Sequence, residues 1–166
     1  YFDQGMTHIA LEYMNLGSLE TFMEVLHTHE QNVPEIFIQS CARQVLHALD
    51  TLHTNKLLHR DIKPANILLN MNGDIKLSDF GIIGELANEN SLCHTFVGTA
   101  VYMAPERLTS KAYSYSSDIW SLGMTLLTLI YKKFPFEHLS NNGGGGYWKL
   151  CSLICNPKFQ ITSLQI

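Results

Sequence analysis

The segment from Leu57 to Asn70 places five side chains that can carry charge or bind a metal within eight residues of a largely apolar stretch. They are His59, Arg60, Asp61, Lys63 and Asn66. Together they supply a carboxylate that can accept a proton, cations that can neutralise an anion, and an amide oxygen that suits a hard metal ion. Loops are ordinarily polar and rarely lie between two apolar runs. The pattern predicts a reactive loop held between two buried segments.

Three short motifs, taken in order, resemble the signature of eukaryotic protein kinases. Residues 59–66 match the catalytic-loop pattern HRDxxxxN. Asp79-Phe80-Gly81 begins thirteen residues after Asn66 and matches the metal-binding DFG, and Ala104-Pro105-Glu106 matches APE. Any one triplet can arise by chance, whereas three at these spacings indicate the family.

The resemblance implies an α+β, protein kinase-like fold and a particular domain organisation. Residues 1–14 would be the end of the N-lobe and the hinge, and residues 15–166 an incomplete, mainly helical C-lobe with a small hairpin. Neither a GxGxxG loop nor a VAIK-like lysine precedes the hinge-like segment. We therefore expect a partial kinase domain, with the N-lobe largely absent, that is inactive by itself.

The resemblance also implies roles for the polar residues. Asp61 would accept the proton of the substrate hydroxyl, and Lys63 would contact the γ-phosphate of ATP. Asn66 and Asp79 would hold Mg²⁺ ions, which prefer oxygen ligands. Arg60 would bind a phosphate on the activation segment through its forked guanidinium.

Three further residues are expected to support the loop rather than to react. His59 would pack against Phe80, so it is assigned no proton transfer. Asp118, at the start of an apolar helix, matches the family residue that braces the catalytic loop. Glu106 would lack its usual arginine partner, because the chain has three arginines and none lies far towards the C-terminus.

The segment "LEYM" at 11–14 resembles the kinase hinge. By that resemblance Leu11 is the gatekeeper, and Glu12 and Met14 are backbone partners of adenine. Leu68 would pack beneath the ring. Since these positions are largely apolar, an ordinary core role is the alternative.

The residues from the DFG motif to the APE motif look most like those of the MAP kinase kinases. In that family two activating phosphosites lie four residues apart, which Ser91 and Thr95 match. Thr99 and Lys63 favour Ser/Thr-type architecture. The resemblance implies an upstream activating kinase and a MAP kinase substrate. The segment before Ser91 is two residues longer than expected, and "TFVGT" also occurs in Ste20-like kinases, which remain the alternative branch.

Hydrophobic patterning predicts the elements that must position these residues. An apolar run predicts a buried strand at 7–14, and a helical period predicts an amphipathic helix at 34–53. Two short strands flank the turn 71–73. The stretch 116–133 predicts a helix buried on every side, whose 13 consecutive uncharged residues are too few for a membrane span of ~18–20. A glycine-rich surface loop is expected at 141–146.

The composition suits one globular unit, since 46% of the 166 residues are apolar and 16% are charged. The net charge of −4 gives no sign of the basic surface that nucleic-acid binding requires. Four scattered cysteines without a CxxC pair favour reduced thiols and a cytoplasmic location.

Two alternatives to an active kinase remain at this point. The missing N-lobe motifs are compatible with a non-catalytic, kinase-derived scaffold or truncated product. A metal-dependent hydrolase using Asp61 and Asp79 is the other, but it explains neither the APE motif nor the hinge-like segment.

Overall fold

A computed structural model describes residues 2–3, 5–79, 84–85, 100–109, 114–136, 146–156 and 158. The α-helices within these ranges are α1 (Leu19–Thr28), α2 (Glu35–Thr54), α3 (Pro105–Leu108), α4 (Tyr115–Tyr131) and α5 (Gly146–Ile154). The strands are β1 (Phe2–Asp3), β2 (Met6–Thr7), β3 (Gly17–Ser18), β4 (Leu57–Leu58), β5 (Ile67–Leu69), β6 (Ile75–Leu77) and β7 (Gly84–Glu85). Short 3₁₀ turns occupy Pro64–Asn66 and Ala100–Tyr102. The described part is thus mainly helical, with small sheets.

One face of helix α2 forms part of the main hydrophobic core. Its apolar residues Cys41, Val45 and Leu49 recur at a spacing of four and are almost fully buried, as expected for one face of an amphipathic helix. They pack in one cluster with residues of α4 and β6. The predicted helix at 34–53 is confirmed, with Pro34 in the N-cap position.

The predicted hairpin is confirmed and carries the end of the reactive loop. Strands β5 and β6 pair antiparallel, with Ile67 opposite Leu77. Asn70 shapes the turn, because its Oδ1 accepts hydrogen bonds from the backbone N–H groups of residues 72 and 74. Gly73 has a φ of +85°, which glycine adopts without strain.

Two contacts fasten this hairpin to the rest of the protein. Gln44 of α2 accepts a bond from the N–H of Ile75 at 2.9 Å and donates to the carbonyl of Gly73 at 2.9 Å. On its other side, β3 adds a third strand, with Gly17 opposite Leu69. This third strand was not predicted, because it is only two residues long.

The prediction of a buried strand at 7–14 is wrong. Regular strand pairing ends at Thr7, and Ile9, Leu11 and Tyr13 are 76%, 83% and 84% exposed. Within the described residues no strand lies beside 8–14. Among the described residues, the backbone of 8–14 therefore has no neighbouring strand with which to form hydrogen bonds, and an isolated strand is not stable.

Helix α4 is the central helix of the fold and begins at a capping box formed by Ser114 and Ser117. It ends at Lys132, whose φ of 55° lies in the left-handed region. The predicted helix at 116–133 is confirmed. The expectation that every side is buried is wrong at Ile119 and Ile130, which are 45% and 46% exposed and lie on one solvent-facing stripe. Throughout the described ranges, no helix is both long and apolar enough to cross a membrane.

Several sequence-based expectations fall on residues outside the described ranges. These are Phe80 and Gly81, the regulatory candidates Ser91, Thr95 and Thr99, and most of the loop at 141–146. Of that loop only Gly146 is described, as the first residue of α5.

Candidate active site

Asp61 is the centre of a hydrogen-bonded cluster formed by the loop 59–66. Its carboxylate is 5% exposed. Oδ2 accepts from Lys63 Nζ at 2.9 Å and from Asn66 Nδ2 at 2.9 Å. Oδ1 is buried and has no hydrogen-bond partner among the described residues. One oxygen is thus held by two donors, while the other keeps its lone pairs available to accept a proton.

Asn66 lies where the loop enters β5, and its amide group is oriented by Asp61. Its Nδ2 also donates to the backbone carbonyl of Asp61 at 2.8 Å. No described residue donates to its Oδ1. Because the amide nitrogen is committed to Asp61, the amide oxygen remains as a ligand that suits a hard cation.

Asp79 follows β6 and is brought towards Asn66 by the hairpin. The N–H of Ser78, its neighbour, donates to the carbonyl of Asn66 at 2.9 Å. Asp79 is exposed and has a φ of 62°, an uncommon conformation that often occurs at functional sites. One amide oxygen and one carboxylate fit Mg²⁺, which binds through few protein ligands and keeps water and phosphate oxygens. The described residues contain no cluster of three His, Cys, Asp or Glu side chains that could hold a metal ion.

Asp118 holds the loop in place from the start of α4. This side chain is fully buried. Oδ2 accepts from the N–H of His59 at 3.0 Å, and Oδ1 accepts from the N–H of Arg60 at 2.9 Å. His53 Nε2, from the last turn of α2, donates to Oδ2 at 2.9 Å. The predicted brace is confirmed, and His53 is a third partner that the sequence did not indicate.

Glu106 bonds to a serine, whereas the resemblance associates this position with a distant arginine that the chain lacks. Ser117 Oγ donates to Glu106 Oε1 at 2.6 Å, a bond between α3 and the first turn of α4. The donor in this bond is a neutral hydroxyl rather than a charged guanidinium. The sequence offered no signal for it, because a single serine in a capping box has no pattern that indicates a second contact.

His59 is buried and neutral, which supports a structural role. Nε2 donates to the carbonyl of Ser78 at 3.0 Å, so the imidazole links the loop to the hairpin. Burial lowers the pKa of His59 below its ordinary value of 6.5, although the bond to Ser78 and the carboxylates of Asp118, Asp61 and Asp79 oppose the shift. Its expected contact with Phe80 lies outside the described residues.

We expect His59 to make the protein less stable in mild acid. Because its pKa is lowered in the folded state, the unfolded chain binds more protons below pH 6.5. The free energy of unfolding should therefore fall as the pH drops from 6.5 towards 5. In His59→Gln, whose amide can still donate to Ser78, urea titrations should show a shallower fall. His47→Gln, on an exposed part of α2, should behave like the unaltered protein; equal slopes in all three would contradict the prediction.

The residues assigned to adenine are not all brought together. Met14 is buried and Leu68, on β5, is half-buried. Leu11 is 83% exposed, and the carboxylate of Glu12 pairs with Lys76 on β6. The adenine-binding roles of these four residues therefore stay predictions.

A groove of about 490 Å³ opens beside the loop, between α1, the Pro64 turn and the end of α4. Its apolar lining includes Met23, Pro64, Tyr102 and Phe134, with Glu20 and Glu24 on the α1 side and Lys132 and Lys133 at the end of α4. A larger cavity of about 690 Å³ lies between α2 and the hairpin, and none of the residues 59–66 line it. Of these two cavities, only the first is lined by a residue of the loop 59–66, namely Pro64.

Comparison with known families identifies the architecture around this site. A family model described as the protein kinase domain matches residues 1–151. The chain belongs to the protein kinase family. The fold class predicted from the three motifs is therefore confirmed, as a mainly helical kinase fold with a small three-stranded sheet.

Within the kinase family, the chain is similar to several MAP kinase kinases. It is 46% identical over 138 residues to the mitogen-activated protein kinase kinase SIPKK of Nicotiana tabacum, which covers 82% of this chain and 38% of the relative. It is 48% identical over 133 residues to the MAP kinase kinase MKK1/SSP32 of Saccharomyces cerevisiae, covering 80% and 26%. The predicted resemblance to MAP kinase kinases is confirmed. The chain spans between a quarter and two fifths of the length of these two relatives.

Proposed function

We propose that this chain carries the catalytic loop of an ATP-dependent protein kinase of the MAP kinase kinase type. The reaction would transfer the γ-phosphate of ATP to a Ser or Thr hydroxyl, or also to a Tyr hydroxyl, of a MAP kinase. Support comes from its similarity to relatives named as MAP kinase kinases. A cytoplasmic location is part of the proposal, based on the scattered cysteines without a CxxC pair.

The observation that carries the proposal is the asymmetry of the Asp61 carboxylate. Phosphoryl transfer needs a group that orients the attacking hydroxyl and accepts its proton, together with charge neutralisation at the phosphate. Asp61 Oδ1 is a buried acceptor without a partner among the described residues. Lys63 Nζ, 2.9 Å from Oδ2, supplies the neighbouring positive charge. The groove beside Pro64 would take the polypeptide around the acceptor hydroxyl.

The direct test is phosphoryl transfer by the native gene product. The purified protein, activated by an upstream kinase, would be incubated with Mg²⁺, ATP and an unphosphorylated MAP kinase, and the product mapped by mass spectrometry. Phosphate on the MAP kinase supports the proposal. A protein that binds the MAP kinase but transfers no phosphate would instead favour the non-catalytic scaffold.

Asn66 and Asp79 would hold the Mg²⁺ that accompanies ATP, whose role is to neutralise the phosphate oxygens. We expect Asp79→Ala to weaken Mg²⁺-dependent nucleotide binding by roughly 10- to 100-fold, since one of few oxygen ligands is lost. Calorimetric titration with Mg²⁺ and a non-hydrolysable ATP analogue measures this. Asp50→Ala removes an exposed carboxylate of α2 and should leave the affinity unchanged. An Asp79→Ala variant with unaltered affinity would contradict the assignment.

The regulatory part of the proposal concerns Arg60 and the candidate phosphosites Ser91 and Thr95, whose phosphorylation would align Thr99 with Asp61. A phosphoryl group carries about −1.5 to −2 charges and can accept paired bonds from guanidinium. Because Arg60 adjoins Asp61, a phosphate bound to Arg60 would order the segment around the reacting carboxylate. Mapping the phosphorylated positions after treatment with an upstream kinase tests this; phosphate at neither Ser91 nor Thr95 would contradict it.

A further inference from the structure

Arg107 connects the APE motif to the catalytic loop. It lies one residue after Glu106, on helix α3, and is half-buried. Its Nη1 donates to the backbone carbonyl of Arg60 at 2.8 Å, a contact between residues 47 positions apart. A charged donor on a half-buried carbonyl makes one of the stronger classes of hydrogen bond.

The backbone of Arg60 determines where the Asp61 carboxylate lies. Arg60 has a φ of 69°, in the left-handed region that side chains other than glycine rarely adopt. Asp118 Oδ1 accepts from its N–H at 2.9 Å, and Arg107 binds its carbonyl. Charged side chains therefore hold both peptide groups that flank the Arg60 Cα atom, and the second of these peptides leads directly into Asp61.

We propose that Arg107 is a positioning residue for phosphoryl transfer, which fixes the Arg60–Asp61 peptide and thereby orients the carboxylate of Asp61. Helix α3 is itself fixed, because Glu106 Oε1 accepts from Ser117 Oγ at 2.6 Å. Arg107 thus links α3 to the reacting carboxylate through one peptide group. The effect on catalysis rests on the proposed function, whereas the effect on the loop backbone does not.

The test uses the native gene product with Arg107→Met and Arg107→Lys. The methionine keeps apolar length but no donor, and the lysine restores one charged donor. We expect Arg107→Met to lower kcat roughly tenfold or more, as one charged bond is lost, with the KM for ATP unchanged. Amide hydrogen exchange over residues 59–62 should become faster. Arg107→Lys should recover part of both effects, and Arg43→Met, on an exposed part of α2, should alter neither.

The two readouts separate this inference from the proposed function. Unchanged exchange over 59–62 in Arg107→Met, or a lysine variant no better than the methionine variant, overturns the positioning role. An unchanged kcat also overturns it. A third outcome is that amide exchange becomes faster in Arg107→Met while the unaltered protein transfers no phosphate. In that case Arg107 does hold the loop backbone, and the proposed function is wrong.

Discussion

Asp61→Asn is expected to lower the turnover of the native kinase by roughly 10²- to 10⁴-fold, the usual contribution of a positioned general base. Lys63 and Asn66 both donate to Oδ2, so the asparagine would orient its oxygen towards them. Its NH₂ group would then occupy the place of Oδ1. A proton acceptor at the reacting atom would become a donor, while the size and shape of the side chain stay nearly the same.

The affinity for ATP should be almost unchanged in Asp61→Asn, because Asn66 and Asp79 remain. Turnover is measured with a saturating protein substrate, and nucleotide affinity by calorimetry. Asp50→Asn makes the same chemical change on an exposed part of α2 and should retain full turnover. An Asp61→Asn variant with normal turnover would show that Asp61 is not the general base.

Asp118→Asn is expected to lower the free energy of unfolding by about 3–5 kcal/mol, as is typical when one partner of a buried charged network is lost. The carboxylate accepts from two backbone N–H groups and from His53 Nε2 within 2.9–3.0 Å. The asparagine side chain keeps one acceptor oxygen, but its NH₂ group would face a group that is itself a hydrogen-bond donor. At least one buried group of the loop would thus lose its bond.

Urea unfolding monitored by tryptophan fluorescence measures the effect of Asp118→Asn. Asp50→Asn, the same chemical change on an exposed part of α2, should stay within about 0.5 kcal/mol of the unaltered protein. Turnover should fall in Asp118→Asn even at temperatures where the variant is folded, because Arg60 and Asp61 are less firmly held. A variant as stable as the unaltered protein would contradict the role of Asp118 as a brace.

The elements with strong local patterns could be predicted from the sequence. Helix α2 repeats buried residues at Cys41, Val45 and Leu49, and the hairpin has its turn residues in place at Asn70 and Gly73. The spacing of His59, Asp61 and Asn66 indicated the loop whose side chains the structure brings together. In each case the information lies within about twenty consecutive residues, where helical period, turn chemistry or a motif can be read directly.

The features that were missed depend on contacts between distant positions. The apolar run at 7–14 has the composition of a strand, but a strand also needs a neighbour to pair with. Ser117, Arg107 and His53 are single polar residues, whose partners lie 11, 47 and 65 positions away. Neither their type nor their spacing indicates those partners. Only the assembled fold brings each of them to its partner.

The two proposed Mg²⁺ ligands and the Asp118 brace differ in the length of the chain loop that each contact must close during folding. Asn66 and Asp79 are 13 positions apart (79 − 66) and are joined by one local hairpin, whereas Asp118 reaches Arg60 across 58 positions. Loop-closure entropy favours the shorter loop by about 1.3 kcal/mol. We therefore expect the hairpin to form early and the contacts of Asp118 to form late. Substitutions at Asp118 should then accelerate unfolding in stopped-flow experiments more than they slow folding. We expect partial opening of the native state to release the loop around Asp61 while the hairpin still holds Asn66 and Asp79, the proposed Mg²⁺ ligands, close to each other.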